Sequence, residues 1–273
     1  MRIADEALTP QAVVHEPSRL TWIGHSTVLI ELDGTRILTD PVLRDRLAVL
    51  RRVAPLADAD VRDVDAILVS HVHYDHLDLP SLRRFARSTP LVVPDGAGRH
   101  VRSLHFTNVR EIACGEQVRL GPLTIRSTFA DHEARRRPLG RLVPSLGYLV
   151  TGSGTVYFAG DTDLFDGMVD IASDLDIALL PIAGWGPRIP AGHMDPLRAA
   201  QAVTRLKPRL AVPIHWGTYR RFDLRADDAS VREPATVFAR RVEELAPDVA
   251  VSIVPPGGTV EIPPRPLRPE GGP

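Results

Sequence analysis

The stretch Ser70-His71-Val72-His73-Tyr74-Asp75-His76-Leu77-Asp78 decides how this chain folds. It ends the continuous apolar run 66–70, which reads as a buried strand, and leads into an expected helix over 79–86. Three histidines and an aspartate fall within six residues at a strand end. Imidazole and carboxylate suit zinc, iron or manganese. His71 and His73 are two apart, so in extended backbone they point the same way. Asp75 and His76 fall where the chain turns into the helix and aim at a second point nearby. One turn can therefore feed two metals. The competing reading is a solvated histidine-rich loop, and the density of ligand-type residues beside a buried strand argues against it.

Further candidates follow other strands. His132 comes after the strand 123–127, Asp161 after 155–158 and His215 after 210–214. Each alone reads equally well as a satisfied polar residue. Together with the first group they make five histidines and two aspartates. Seven ligands exceed one tetrahedral site and suit two metals roughly 3.5–4 Å apart that share a carboxylate.

Working outward, the strands 20–23, 27–32 and 36–39 are short and apolar, and Asp33-Gly34 is a hairpin signal between the last two. The runs 108–112, 117–120 and 123–127 read as a second meander turning at Gly121-Pro122, and 146–150 with 155–158 as a third hairpin. The second half alternates: strand 177–181, helix 195–206 capped by Asp195, strand 210–214, helix 231–245, then strands 249–254 and 259–262. Strands first and strand–helix units second imply sheets packed together with helices outside, an α/β (α+β) arrangement. Residues 1–18 and the Pro/Gly-rich 263–273 read as tails around one domain, 19–262.

Thirty-three basic and thirty-four acidic residues give a net charge of −1, which argues against a protein built to coat nucleic acid. One cysteine, Cys114, excludes an intrachain disulfide and reads as a small buried residue. The N-terminus lacks a signal-peptide pattern and no apolar run is long enough for a membrane helix, so a cytoplasmic protein without a stable membrane anchor is expected. His15, His100 and His105 read as surface residues.

The HxHxDH motif His71–His76, with His132, Asp161 and His215 downstream, resembles the metallo-β-lactamase fold. Trp22-Ile23-Gly24-His25-Ser26-Thr27, Leu38-Thr39-Asp40-Pro41, Phe158-Ala159-Gly160-Asp161-Thr162 and His215-Trp216-Gly217-Thr218 narrow it. They look like the branch holding N-acylphosphatidylethanolamine phospholipase D and the ascorbate-6-phosphate lactonase-like proteins. The resemblance covers about 19–256. It implies a four-layer αββα sandwich of two mixed β-sheets. It implies that His71, His73 and His132 hold one divalent metal, that Asp75, His76 and His215 hold the second, and that Asp161 bridges. The metals would be zinc, with manganese or iron as alternatives, and a bridging hydroxide would attack the substrate. Asp75 and Asp161 are thus expected to be catalytic, and His193 to face substrate and take part in catalysis. Asp40 and His25 are expected to orient ligands from behind.

The segment 42–64 is shorter than in the lipase-like members, and the run after His132 lacks their aromatic text. It carries Arg135, Arg136, Arg137 and Arg141 instead, candidates to grip an anion. The expected activity is hydrolysis of an ester-type bond, a phosphodiester or lactone, in a small anionic substrate. The alternatives are a lipid phosphodiesterase and, from another class, a non-catalytic metal-stabilised binding protein.

Overall fold

Alternate residues of a strand face opposite sides of a sheet, and here both sides are apolar. Leu20, Trp22, Val28, Ile30, Ile37 and Leu68 enter one core cluster, while Ile23, Leu29, Leu38 and Ile67 enter another. A sheet buried on both faces must have layers above and below it. The computed structural model, which describes residues 18–56, 61–184, 189–222 and 228–262, shows those layers. The expected tails lie outside the described residues except for Ser18, and His15 lies outside with them.

The first sheet runs Thr259–Glu261, Arg19–Gly24, Thr27–Leu32, Thr35–Thr39, Ala66–Leu68, Leu91–Pro94 and Val109–Ile112 across its width. Its pairs are antiparallel as far as Thr35–Thr39 and parallel beyond. The second runs Ala250–Val251, Leu210–Ile214, Ile177–Pro181, Thr155–Phe158, Leu146–Thr151, Leu123–Phe129 and Gln117–Leu120. Its first three pairs are parallel and the rest antiparallel. Ile125, Val150 and Val156 of the second sheet share a core with Trp22 and Ile30 of the first. The helices Pro196–Leu206 and Asp228–Leu245 add Ala199, Val203, Phe238 and Val242 to that core. The short helices Leu79–Leu82 and Gly98–Val101 send Leu82 and Val101 to the outer face of the first sheet. The expected αββα sandwich of two mixed sheets is the fold that forms.

Local signals behaved as physical chemistry requires. Asp33 and Gly34 both have positive φ, 51° and 73°, the backbone of a two-residue hairpin closed by the pair Leu32–Thr35. Asp195 caps its helix by accepting from Arg198 N, and Lys207 ends it in the left-handed region.

Three expectations need correction. Val109–Ile112 does not belong to a meander with the two strands after it. It is the edge strand of the first sheet, parallel to Leu91–Pro94, and the chain then crosses to the second sheet. Only its Ile112 is buried, so an isolated strand pattern could not say which sheet it joined. Cys114 lies in that crossover and is exposed, because a turn between sheet edges has no layer above it. The helix expected over 79–86 ends at Leu82. Arg84 N and Phe85 N bond three residues back, to Ser81 O and Leu82 O, which tightens the chain into turns and docks Phe85 in the core.

The parallel strands place their carboxyl ends on one rim. There Thr39 leads to Asp40, Leu68 to Ser70 and His71, Phe158 to Asp161, and Ile214 to His215. Open α/β sheets bind ligands at such ends.

Candidate metal centre

The rim is held by loops that lock one another. His215 N donates to His25 O at 2.9 Å, His25 N donates to Thr218 Oγ1 at 2.8 Å, and Trp22 stacks on Trp216 with centroids 5.2 Å apart. Gly24 precedes His25 at φ 127°, and a Cβ there would lie 2.9 Å from Thr218 Cγ2 and 3.0 Å from Arg52 NH1. His25, Asp40 and His215 all adopt positive φ, 56°, 34° and 62°. Non-glycine residues in that region carry strain and gather at functional sites.

A first group of side chains consists of His71, His73 and His132. His71 Nε2 and His132 Nε2 each lie 3.1 Å from His73 Nδ1. Neither short distance is explained by both pairs being hydrogen bonds. His132 Nδ1 donates to Gly192 O at 2.9 Å, so its Nε2 is a lone pair. Ser70 Oγ donates to the Asp40 carboxylate at 2.6 Å and therefore accepts from His71 Nδ1 at 2.9 Å. His71 Nε2 is then a lone pair too, and His73 Nδ1 holds a hydrogen for one neighbour at most. Tetrahedral zinc with bonds of about 2.0–2.1 Å sets its nitrogen ligands about 3.3 Å apart, close to this spacing.

A second group consists of His25, Asp75, His76 and His215. His76 Nδ1 donates to Asp40 Oδ2 and His215 Nδ1 to Ala183 O, both at 2.7 Å. Their Nε2 atoms, with Asp161 Oδ1, are buried and lack hydrogen-bond partners. Buried polar atoms without partners are rare and call for an explanation. A cation between them supplies one, so the donor set fits a metal. Asp161 reaches toward both groups: Oδ2 lies 3.0 Å from His76 Nε2 and 3.8 Å from His71 Nε2, and Oδ1 lies 3.3 Å from His215 Nε2. His193 Nε2 sits 3.3 Å from Asp161 Oδ2. His25 Nε2 bonds Asp75 Oδ2 at 2.9 Å, so His25 holds that carboxylate in place.

Electrostatics agrees with the donor set. Burial lowers the pKa of His71 well below its ordinary value, that of His132 to about 4 and that of His25 to about 3, so all three are neutral near pH 7, His71 and His132 with Nε2 lone pairs and His25 donating to Asp75. Burial alone would depress His76 as well. Asp161, Asp75 and Asp40 outweigh it and push His76 up. Burial likewise opposes ionisation of Asp75 and Asp161, yet the imidazoles around them hold both below the carboxylate range. Three buried carboxylates thus favour positive charge at the one ring they share.

Asp40 lies behind both groups. Through His76 it reaches the second group, and through Ser70 and His71 the first. Ser70 was not singled out in the sequence, although its place between the strand and His71 is the available signal. Gly192 O and Ala183 O left no trace in residue type. The arginines separate. Arg135 NH1 donates to Gly140 O, and Arg135, Arg137 and Arg141 are exposed. Arg136 is half-buried and bonds backbone carbonyls of the His71–His76 loop instead of facing outward. The described cavities, of about 580 and 510 Å³, lie elsewhere, along Arg126, Asp170 and Ile171, and none of these site residues lines them.

Converging imidazoles and buried carboxylates at the strand ends of an αββα sandwich define a protein of the metallo-β-lactamase fold. The β-lactamase superfamily domain matches residues 35–216, and the chain belongs to that family. It is 32% identical over 250 residues to a metal-dependent hydrolase from Methanopyrus kandleri, covering 89% of this chain and 99% of that one. It is 32% identical over 228 residues to an N-acyl-phosphatidylethanolamine-hydrolyzing phospholipase D of Caenorhabditis elegans, covering 73% and 64%. A solved structure of a metallo hydrolase from Ignicoccus hospitalis superposes with a TM-score of 0.67 at 28% identity, covering 90% and 98%. The chain spans 62% of the length of an uncharacterised Mycobacterium tuberculosis protein that is 34% identical over 232 residues, 78% of this chain. These likenesses place the chain in the β-lactamase superfamily. No helix of the described residues is long and apolar enough to cross a membrane.

Proposed function

We propose that the chain hydrolyses an ester-type bond, a phosphodiester or lactone, in a small anionic substrate, with two divalent cations as cofactors. The observation that carries this is the set of buried, partnerless atoms His76 Nε2, His215 Nε2 and Asp161 Oδ1 beside His73 Nδ1, which has an imidazole nitrogen 3.1 Å away on each of His71 and His132. His71, His73 and His132 would hold one cation, Asp75, His76 and His215 the other, and Asp161 both. Zinc suits these donors best, and manganese or iron is the alternative. When bound, such a pair supplies a Lewis acid and lowers the pKa of water held there.

The chain's own residues then divide the work. His25 fixes Asp75, which would orient the attacking water and take its proton. His193 lies 3.3 Å from Asp161 with its side chain 10% exposed, so it can meet both the site and an incoming substrate. The hydrogen bond and charge of Asp161 raise its pKa against the effect of burial, which favours a ring that holds a proton for the leaving oxygen. The exposed Arg135, Arg137 and Arg141 follow His132 closely and favour an anion at the rim.

A second reading, a lipid phosphodiesterase, is favoured by one observation besides the Caenorhabditis relative. Phe222, 72% exposed, bonds through its backbone to Val49, and Val49 and Val53 are exposed too. They lie on a small ribbon whose Tyr219 packs edge-on against His25, centroids 5.5 Å apart. An apolar chain could lie along it.

The test is elemental analysis joined to a panel of chromogenic phosphodiesters, lactones and micellar phospholipids. About two equivalents of metal and turnover of a small anionic ester are expected. Asp161→Ala should abolish turnover and weaken both equivalents. Trace metal only, or unchanged turnover in that variant, would overturn the reading.

A further inference from the structure

The loop 72–77 turns tightly, and its backbone bonds leave carbonyls facing away from the imidazole cluster. His73 O takes the N–H groups of His76 and Leu77 at 3.2 and 2.9 Å. One guanidinium gathers the carbonyls on the far side. Arg136 NH1 lies 2.6 Å from Leu77 O, 3.1 Å from Val72 O and 3.4 Å from His73 O. Its Cζ lies 3.9 Å from the ring centroid of Tyr74, itself 54% exposed. Carbonyl dipoles converging on a cation make stronger hydrogen bonds than neutral donors would, and a guanidinium also stacks on an aromatic face.

Arg136 does not belong to that loop. It follows His132 by four residues, on the excursion that leaves the second sheet after Leu123–Phe129. The same excursion therefore carries His132 into the first group and reaches under the loop that supplies His71 and His73 from the first sheet. We propose that Arg136 is a positioning residue for the first group: it clamps the two sheets' contributions together and sets the His73–His132 approach of 3.1 Å. Its guanidinium is a brace for the cation site and not a receptor for a substrate anion. His215 lies outside this brace: its own backbone and Ala183 O hold it. The second group shares that loop through Asp75 and His76 but takes nothing from the excursion that carries His132, so it should weaken less.

The inference rests on the two-cation reading, and a metal titration separates the two. Full-length protein is freed of metal and titrated with Co²⁺ against a competing chelating dye, with visible absorption reporting coordination. Wild type should bind two equivalents; failure here would count against the cation reading itself. Arg136→Met keeps the aliphatic stem and removes the donors. One equivalent should weaken by roughly tenfold or more, as for other groups that orient metal ligands, while the other, which depends on the loop but not on the excursion, weakens by clearly less. Arg136→Lys keeps a cation with three donors and should restore most of the loss. If Arg136→Met does not fold, Arg136→Gln is read by the same titration. Wild-type affinity at both equivalents, or equal weakening of both, would overturn the proposal, since a general loss of stability has no preference between the groups.

Discussion

Replacing Asp40 by asparagine should cost metal affinity at both groups while leaving the fold intact. Asp40 is fully buried and accepts from Ser70 N at 2.7 Å, Ser70 Oγ at 2.6 Å and His76 Nδ1 at 2.7 Å. Alanine would strand three donors, at about 1–3 kcal/mol each, a sum comparable to a domain's whole stability of about 5–15 kcal/mol. Asparagine keeps the shape, tolerates the positive φ of 34° and still accepts from Ser70 N. Its amide, however, puts hydrogens where Oδ2 stood. His76 can escape that opposition only by moving its proton to Nε2, which removes the lone pair facing Asp161. Ser70 Oγ, now receiving a hydrogen from the amide, turns its own toward His71 Nδ1 and drives the same exchange there. Losing such an orienting partner costs roughly 10–100-fold in metal affinity, or about 1.4–2.7 kcal/mol per site. The assay is competition titration of metal-free protein with Zn²⁺, with circular dichroism to confirm folding. A folded Asp40→Asn variant with wild-type affinity would refute the tautomer argument, and weakening of one equivalent alone would refute the link through Ser70.

Other outcomes follow from the same geometry. In metal-free protein His71, His132 and His25 have folded pKa values below their ordinary 6.5, the last two at about 4 and 3. The unfolded chain then binds protons the folded one refuses, so the urea midpoint should fall as pH drops from 6.5 toward these values. His76 is raised, so its contribution is full below 6.5 and is lost as pH climbs through its folded value. Stability without metal should thus peak near neutrality, and a flat profile would count against these protonation states. Gly24→Ala forces a side chain onto φ 127° and to within 2.9 Å of Thr218, and should destabilise by about 1–3 kcal/mol in urea unfolding. Joint replacement of Arg135, Arg137 and Arg141 by alanine, with Arg136 kept, should raise KM about tenfold for an anionic ester and leave a neutral one unchanged. Equal effects on the two substrates would make those residues ordinary surface charge.

What could be read from the sequence, and what could not, divides along a physical line. The His71–His76 segment was legible because its ligand-type residues are close in sequence and because imidazole and carboxylate side chains have few other reasons to crowd a strand end. The two sheets were legible because strands buried on both faces must be apolar throughout, as Ile67 and Leu68 are when they enter different cores. Val109–Ile112 was placed in the wrong sheet because one buried residue in four gives no periodicity to read. The larger omission concerns what holds the ligands. His132 is oriented by Gly192 O, His215 by Ala183 O, and the loop 72–77 by Arg136 through three carbonyls. Every residue has a carbonyl, so residue type cannot reveal these partners; only the backbone path can. The same limit explains why Arg136 read as part of an anion receptor. A guanidinium satisfied by backbone oxygens and one awaiting a phosphate look alike in a sequence. They differ in whether the nearest acceptors belong to the chain, and for Arg136 they do.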